Sequence, residues 1–407
     1  MTPQRLIRLS IAAAAVLATT LALASAAMAA PKYKVLHHFG FGNDGGGLWG
    51  SLAFDAMGNL YGTTSGGGAY GDGTVFELTL DSNGTWTETI LHSFPSFPDD
   101  GGAPFGSPML DGAGNLYGTT AGGGDHYSGT AFKLARTSWT ESILYDFCSK
   151  PKCSDGGSPQ GDLVMDEAGN LYGTAGVAFE LSPGSGGWKE TVLHDFTCRN
   201  GDGCDPYAVI LDAAGNLYGI TQGGGGGGCG GGCGTAYELQ RTAKGKWKEG
   251  ILHDFGTGND DMAFPVGVLA LDGAGKLYGV VSVGGPTGNG AVYRLTRGSG
   301  HWKAAIMHSF AGGTGGGGPA GGVAMDKSGD LYGVTVNGGD PNCDCGVVYK
   351  LAPGSKGRWK YTVLHRFTGY DGAQPVAQLI FDSKGNLYGT TSTGGAGGAG
   401  VAFELTP

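Results

Sequence analysis

The chain has 407 residues, 85 of them glycine, but 40% are hydrophobic and 10% aromatic, enough to bury a large core, so glycine content alone does not make it disordered. Lys and Arg number 25 against 35 Asp and Glu, and the formal charge of −10 argues against nucleic acid as a partner. The acids divide into 26 Asp and 9 Glu, a bias toward the residue that caps turns and away from the one that favours helices, as expected of an all-β chain of tight turns.

Residues 1–29 have the form of a signal peptide. Arg5 and Arg8 make a short basic region, "IAAAAVLATTLALA" is an apolar core too short to span a bilayer comfortably, and Ala27-Met28-Ala29 supplies a small-x-small cleavage pattern. Cleavage is expected after Ala29, because a cut after Ala30 would put Pro31 first. Removing Arg5 and Arg8 takes the charge to 23 minus 35, or −12. The mature chain is expected to be exported, periplasmic or extracellular. No later run has the length of a transmembrane helix and no anchor follows "VAFELTP", so no membrane span is expected.

The stretch "GNLYGTTSGGG", Gly58 to Gly68, has the glycines of a phosphate-binding loop. Such a loop opens a helix, however, and here "TVFELTL" follows, with the β-branched and aromatic composition of a strand. The stretch is one copy of a repeat. Leu60, Leu116, Leu171, Leu217, Leu277, Leu331 and Leu387 sit in successive copies, at spacings of 56, 55, 46, 60, 54 and 56 residues.

Each unit holds four strand-like segments. The first is an almost continuous apolar run ending in Asp, as in "GSLAFD", "GDLVMD", "YAVILD" and "AQLIFD", which predicts a strand buried on both faces. A turn follows, "DAMGN" in the first unit, in which Asp opens and Gly58, Gly114, Gly169, Gly215, Gly275, Gly329 or Gly385 takes the left-handed position. The second strand is "NLYGTT" and its relatives, the third "GTVFEL" and its relatives, and the fourth "WTETILHSF" and its relatives.

Four short antiparallel strands with apolar residues on both faces describe one blade of a β-propeller, and seven units predict a seven-bladed, all-β propeller. The mature chain opens with "YKVLHHF", a fourth strand without its first three, and finishes with "VAFEL", a third strand without its fourth. The N-terminal strand is therefore expected to complete the last blade and close the ring. The expected single domain is 30–407, with blades at 50–94, 106–147, 161–196, 207–255, 266–310, 321–367, and 377–405 plus 33–39. An open right-handed β-solenoid is the alternative, although its coils are usually shorter than these units.

"DxxGNLYGTT", "GTVFEL" and "WTETILHSF" resemble the GloVer-type tandem repeat of exported bacterial proteins, the choice-of-anchor tandem repeat family, over nearly the whole mature chain. The first two strands also look like those of NHL-type propellers. The resemblance implies an exported repeat protein without an established activity, often with a separate C-terminal anchor; this chain departs from that pattern by ending at Pro407.

Histidine recurs in the fourth strand at His37, His92, His194, His253, His308 and His365, with Tyr145 in the seventh place. A ring of metal ligands is one reading. The other, preferred because Tyr replaces His, is that each side chain packs in its blade and hydrogen-bonds through its tip. Trp86, Trp139, Trp188, Trp247, Trp302 and Trp359 lie six residues before that position, an even spacing that puts Trp and His on one strand face. The loop after the fourth strand repeats a carboxylate at Asp100, Asp155, Asp202 and Asp371, with Asp44 and Asp260 or Asp261 corresponding. Turn capping is the expected role; a ring of these acids at the channel mouth holding Ca²⁺ is the alternative, although the sixth copy lacks an acid. No other cofactor is expected.

In an exported chain the cysteine pairs Cys148/Cys153, Cys198/Cys204 and Cys229/Cys233 read as local disulfides, while Cys343/Cys345 is left open between a bridge and free thiols. Zinc held by the first two pairs is the alternative. No nucleophile-base motif breaks the repeat, so a binding or scaffold module for glycan or protein is expected ahead of a hydrolase or lyase on an envelope polysaccharide. A meander places the loop between strands two and three and the inter-blade loop on one face, with all eight cysteines and with aromatics including Trp49, Tyr70, Phe97, Phe105, Tyr127 and Tyr207. In the third unit "NLYGTAGVAFEL" nearly omits the first of these loops, predicting a notch bordered by Tyr127 and Tyr207, with Asp155 and Asp202 as acceptors and Tyr70 and Trp49 elsewhere on the face. A monomer is expected.

Overall fold

The computed structural model describes residues 30–95, 100–257 and 262–407, with the Lys356 side chain excluded. The expected signal peptide, Phe97, Asp260 and Asp261 lie outside them. Among the described residues there is no α-helix, and no helix is long and apolar enough to cross a membrane. The strands form antiparallel meanders, one per repeat. In the first unit Ala53–Phe54, Leu60–Thr64, Thr74–Leu80 and Trp86–Ser93 pair in chain order. The fifth and sixth meanders touch through one parallel bridge, Val268 to Gly322. The N-terminal strand Lys32–His38 pairs antiparallel with Val401–Thr406, and Leu387–Thr391 and Ile380–Phe381 complete that sheet.

The sequence dictates the turn between the first two strands. Asp55 accepts the backbone N–H groups of Met57 and Asn59 on Oδ1, at 2.8 and 2.9 Å, and Gly58 sits at φ +90°, a conformation that costs an L side chain its Cβ clearance. A different constraint selects Gly62 in the second strand. A Cβ there would stand 2.3 Å from Phe76 Cζ, so the third-strand ring fills the space the glycine leaves.

The core is divided among the spaces between successive sheets. Leu116, Phe132 and Leu134 of the second sheet pack with Tyr61, Val75 and Phe94 of the first. Leu36, Tyr388 and Ala402 of the last sheet pack with Leu52, Leu60 and Phe76 of the first. Threonines of the second strands tie one sheet to the next: Thr63 Oγ1 donates to the Gly106 carbonyl at 2.9 Å, and Thr390 Oγ1 to the Gly50 carbonyl at 3.2 Å.

One sequence expectation is overturned: Trp and His of the fourth strand face opposite ways. Phe76 pairs with Ile90, but Val75 pairs with His92, so Leu91 is a bulge between them. The extra residue reverses the alternation, which even spacing in sequence assumed unbroken. Trp86 and Glu88 therefore face the preceding sheet, and His92 faces the following one, where it approaches Glu141. The same register shift occurs in the N-terminal strand between Val35 and His37.

Candidate functional site

The repeats converge on a cavity of about 920 Å³ at the starts of their first strands, lined by residues of every unit from Trp49 to Gln378. Its aromatic lining is Trp49, Phe105 and Tyr207, with Val266, Val268 and Val376 among the aliphatic residues, and its polar groups include Ser51, Ser107, Gln160, Gln222, Asn337 and Gln378. Two carboxylic acid side chains, Asp162 and Asp205, line it. Aromatic faces beside neutral donors and acceptors suit a ligand with apolar C–H faces and many hydroxyls.

Asp162 stands where Ser51 and Ser107 stand in the preceding units, and the three are chained. The Ser51 N–H donates to Ser107 Oγ at 2.7 Å, and the Ser107 N–H donates to Asp162 Oδ1 at 2.6 Å. Burial pushes the Asp162 carboxyl above its usual range, against the lowering effect of the Ser107 hydrogen bonds. Asp162 is among the residues that line the cavity.

The inter-sheet loops entering the first strands are strained in register with one another. Ala103, Ser158, Asp205, Phe264 and Gln374 have φ between 49° and 55°, and each precedes a proline. Such left-handed backbone costs of order 1–3 kcal/mol per residue and persists where its surroundings over-determine it. Here the N–H groups of Ala103, Ser158, Phe264 and Gln374 donate to carbonyls of the preceding unit's loop, those of Asp72, Ser128, Cys233 and Cys345. The cavity rim is thereby held by neighbouring sheets.

The residues singled out from the sequence divide between this cavity and other places. Trp49 and Tyr207 line the cavity, as does Gly176 of the shortened third-unit loop. Tyr70 and Tyr127 do not; they are exposed at 65% and 66%. Asp155 and Asp202, expected as acceptors beside the notch, are engaged within the protein. Asp155 is fully buried and takes the Tyr145 hydroxyl at 2.7 Å and the Ser149 N–H at 2.9 Å; Asp202 takes the Thr197 N–H at 2.7 Å and faces His194 at 3.2 Å. Nor do the repeated acids gather at the channel mouth, since Asp44, Asp100 and Asp371 likewise turn to His37, His92 and His365 between sheets. Capping inter-sheet turns, they leave no axial ring for Ca²⁺ among the described residues. Asp162, missed in sequence, was legible as the acid of "GDLVMD" where no other unit has an acid: they have Ser51, Ser107, Ala208, Val268, Gly322 and Gln378.

The cysteines divide differently from the expectation. Cys148–Cys153, Cys229–Cys233 and Cys343–Cys345 are bridged, whereas Cys198 and Cys204 are free thiols in hydrogen-bond contact. Burial and the neighbouring Cys198 push the Cys204 thiol up to about 12. With two bridged and two free, the first two pairs do not form a four-thiol zinc site.

The sequence pattern of the Gloeobacter/Verrucomicrobia repeat matches residues 22–230 and 231–407. The chain belongs to that family. No curated protein matches this repeat protein in sequence. In fold it is similar to the extracellular domain of a candidate hybrid two-component system of B. thetaiotaomicron, at 12% identity and a TM-score of 0.59, over 92% of this chain and 42% of that one. A candidate 6-phosphogluconolactonase of Bacteroides uniformis is similar at 13% identity and a TM-score of 0.53, over 83% and 88%. An ancestral GH74 enzyme is similar at 13% identity and a TM-score of 0.55, over 90% and 48%. The repeat protein spans about two fifths of the length of the sensor domains it resembles. At these identities the likeness is one of fold, β-propeller-like in each case.

Proposed function

We propose that this family member is an exported, seven-bladed propeller, closed between its N-terminal and C-terminal strands, whose axial cavity binds a polyhydroxylated ligand such as the end of a glycan. The pairing of Lys32–His38 with Val401–Thr406 supports closure, and three bridged cysteine pairs fit an oxidising compartment. The observation that carries the ligand reading is the cavity of about 920 Å³ with Trp49, Phe105 and Tyr207 beside Ser, Gln and Asn side chains and few charges. The extracellular sensor domains among its structural neighbours fit a binding module.

The test is a glycan array probed with residues 30–407, followed by calorimetry on the ligands found. Trp49→Ala and Tyr207→Ala are each expected to weaken binding about tenfold, or about 1.4 kcal/mol, with Tyr70→Ala and Tyr127→Ala unchanged. The reverse pattern moves the site to the outer loops and rejects the cavity. A second reading, hydrolysis, is favoured by Asp162 and Asp205 sharing the cavity, with Asp162 raised toward the protonated form a general acid requires. Release of reducing ends that is abolished by Asp162→Asn selects that reading.

A further inference from the structure

Away from the cavity, the Leu91-type bulges turn one sheet's fourth-strand histidine toward the next sheet's glutamate, with an inter-sheet aspartate between them. Among the described residues three such clusters form: His37, Asp44 and Glu88; His92, Asp100 and Glu141; and His194, Asp202 and Glu249. In each the ligating atoms lie within 4.8 Å of one another. His92 Nε2 is 2.9 Å from Asp100 Oδ2 and 3.7 Å from Glu141 Oε2, and His194 Nε2 is 3.2 Å from Asp202 Oδ1 and 3.6 Å from Glu249 Oε2. Donors bound to one tetrahedral zinc ion at about 2.1 Å stand about 3.4 Å apart.

Glu88, Glu141 and Glu249 each carry a buried Oε1 without a hydrogen-bond partner, on side chains only 11–16% exposed, and so does Glu190 of the equivalent site between the second and third sheets. The groups found at the equivalent positions point to a positive charge beside the carboxylates. At the equivalent place between the second and third sheets, Tyr145 replaces the histidine, and the Lys150 ammonium pairs with the fully buried Glu190. Where Tyr33 and Tyr361 replace the glutamate, they stack on His365 and His308 instead. The second carboxylate is thus accompanied either by the histidine and aspartate of a complete cluster or by a lysine.

We propose that these three inter-sheet clusters each bind one first-row divalent cation of the zinc class, which cross-links adjacent sheets. One imidazole with two carboxylates suits Zn²⁺ or Mn²⁺, whereas Ca²⁺ takes six to eight oxygens and no imidazole. The donors are oriented from behind: Asp44 Oδ1 takes the Gly40 and Phe41 N–H groups at 2.9 and 2.7 Å, and Asp202 Oδ2 takes the Thr197 N–H, in each case leaving the other oxygen toward the histidine. The histidines are 18–23% exposed, which leaves an entry path from solvent. The role is independent of the cavity ligand and stands or falls separately from it.

The test uses residues 30–407 with Cys198→Ser and Cys204→Ser, to remove thiol binding, stripped with EDTA and titrated with Zn²⁺ alone. About three equivalents bound per chain, by metal analysis and native mass spectrometry, are expected. Glu141→Gln, Glu88→Gln and Glu249→Gln are each expected to remove one equivalent, and because each affects a different cluster, failure of one variant to fold leaves the others decisive. Zn²⁺ is expected to raise the thermal midpoint, and Ca²⁺ at the same concentration to leave it unchanged. Less than one equivalent bound, or three equivalents retained in all three variants, overturns the proposal. So does a stabilisation by Ca²⁺ equal to that by Zn²⁺.

Discussion

Tyr33 and His365 stack face to face, with ring centroids 3.7 Å apart and planes 3° from parallel, while the Tyr33 hydroxyl donates to the Asp371 carbonyl at 2.6 Å. The first described strand of the chain, which completes the last sheet, is thereby also held by the sixth sheet, which carries His365, and by the loop between the two sheets, which carries Asp371. Tyr33→Ala is expected to destabilise the protein by about 3 kcal/mol through lost packing, read as a lower midpoint in denaturant. Deleting residues 33–39 exposes the edge of Val401–Thr406 and is expected to cause aggregation or loss of cooperative unfolding. Unchanged thermal unfolding of the deletion rejects closure through this strand.

Metal-free protein is expected to lose stability on both sides of a pH optimum. Burial and the Asp44 charge raise Glu88 from 4.5 to about 7, so the folded chain holds this proton more tightly than the unfolded chain. That contribution is complete below the unfolded value and disappears as pH rises through about 7. Glu141, facing His92 and Asp100, and Glu249, facing His194 and Asp202, act in the same direction. Asp111 behaves oppositely: burial works to raise it, but hydrogen bonds from Asn115, Ala113 and Tyr117 outweigh this and lower it, so its contribution is lost as pH falls through its folded value. Thermal midpoints in EDTA across this range are expected to show a flatter alkaline limb for Glu88→Gln. An unaltered limb removes Glu88 as its source.

Gly62→Ala tests the packing reason for the repeated "LYG". The added methyl meets Phe76, and the equivalent substitution at Gly118 meets Phe132 at 2.7 Å, so each is expected to cost about 1–3 kcal/mol by overpacking. Combining Gly62→Ala with Phe76→Leu is expected to recover part of the loss. No recovery, measured by chemical denaturation, indicates that the ring is not the obstacle.

The Cys229–Cys233 bridge closes a loop of sequence separation 4, too short to restrict the unfolded chain strongly. Chain-entropy arguments assign it about 2 kcal/mol. Cys229→Ala with Cys233→Ala is therefore expected to lower stability by no more than that while the fold persists, by circular dichroism. Complete unfolding makes the bridge essential to the loop face.

The repeat, its four strands and the Asp-x-x-Gly turns were legible because each depends on residues adjacent in sequence. Asp55 caps Met57 and Asn59, and Gly58 has the backbone freedom its turn demands. The pairing of the two chain ends was also legible, since "YKVLHHF" and "VAFEL" are complementary fragments of one unit. What only tertiary structure decided follows from register. A bulge at Leu91 adds one residue to a ladder whose side-chain period is two, and no composition marks it, so His92 faces Glu141 of the following sheet rather than sharing a face with Trp86. The repeated aspartates, read as possible axial ligands, are drawn into those inter-sheet contacts for the same reason. The cavity likewise depends on which first-strand positions meet at the axis. Asp162 differs from Ser51 and Ser107 by identity alone, and its buried place beside Ser107 exists only once separate units pack together.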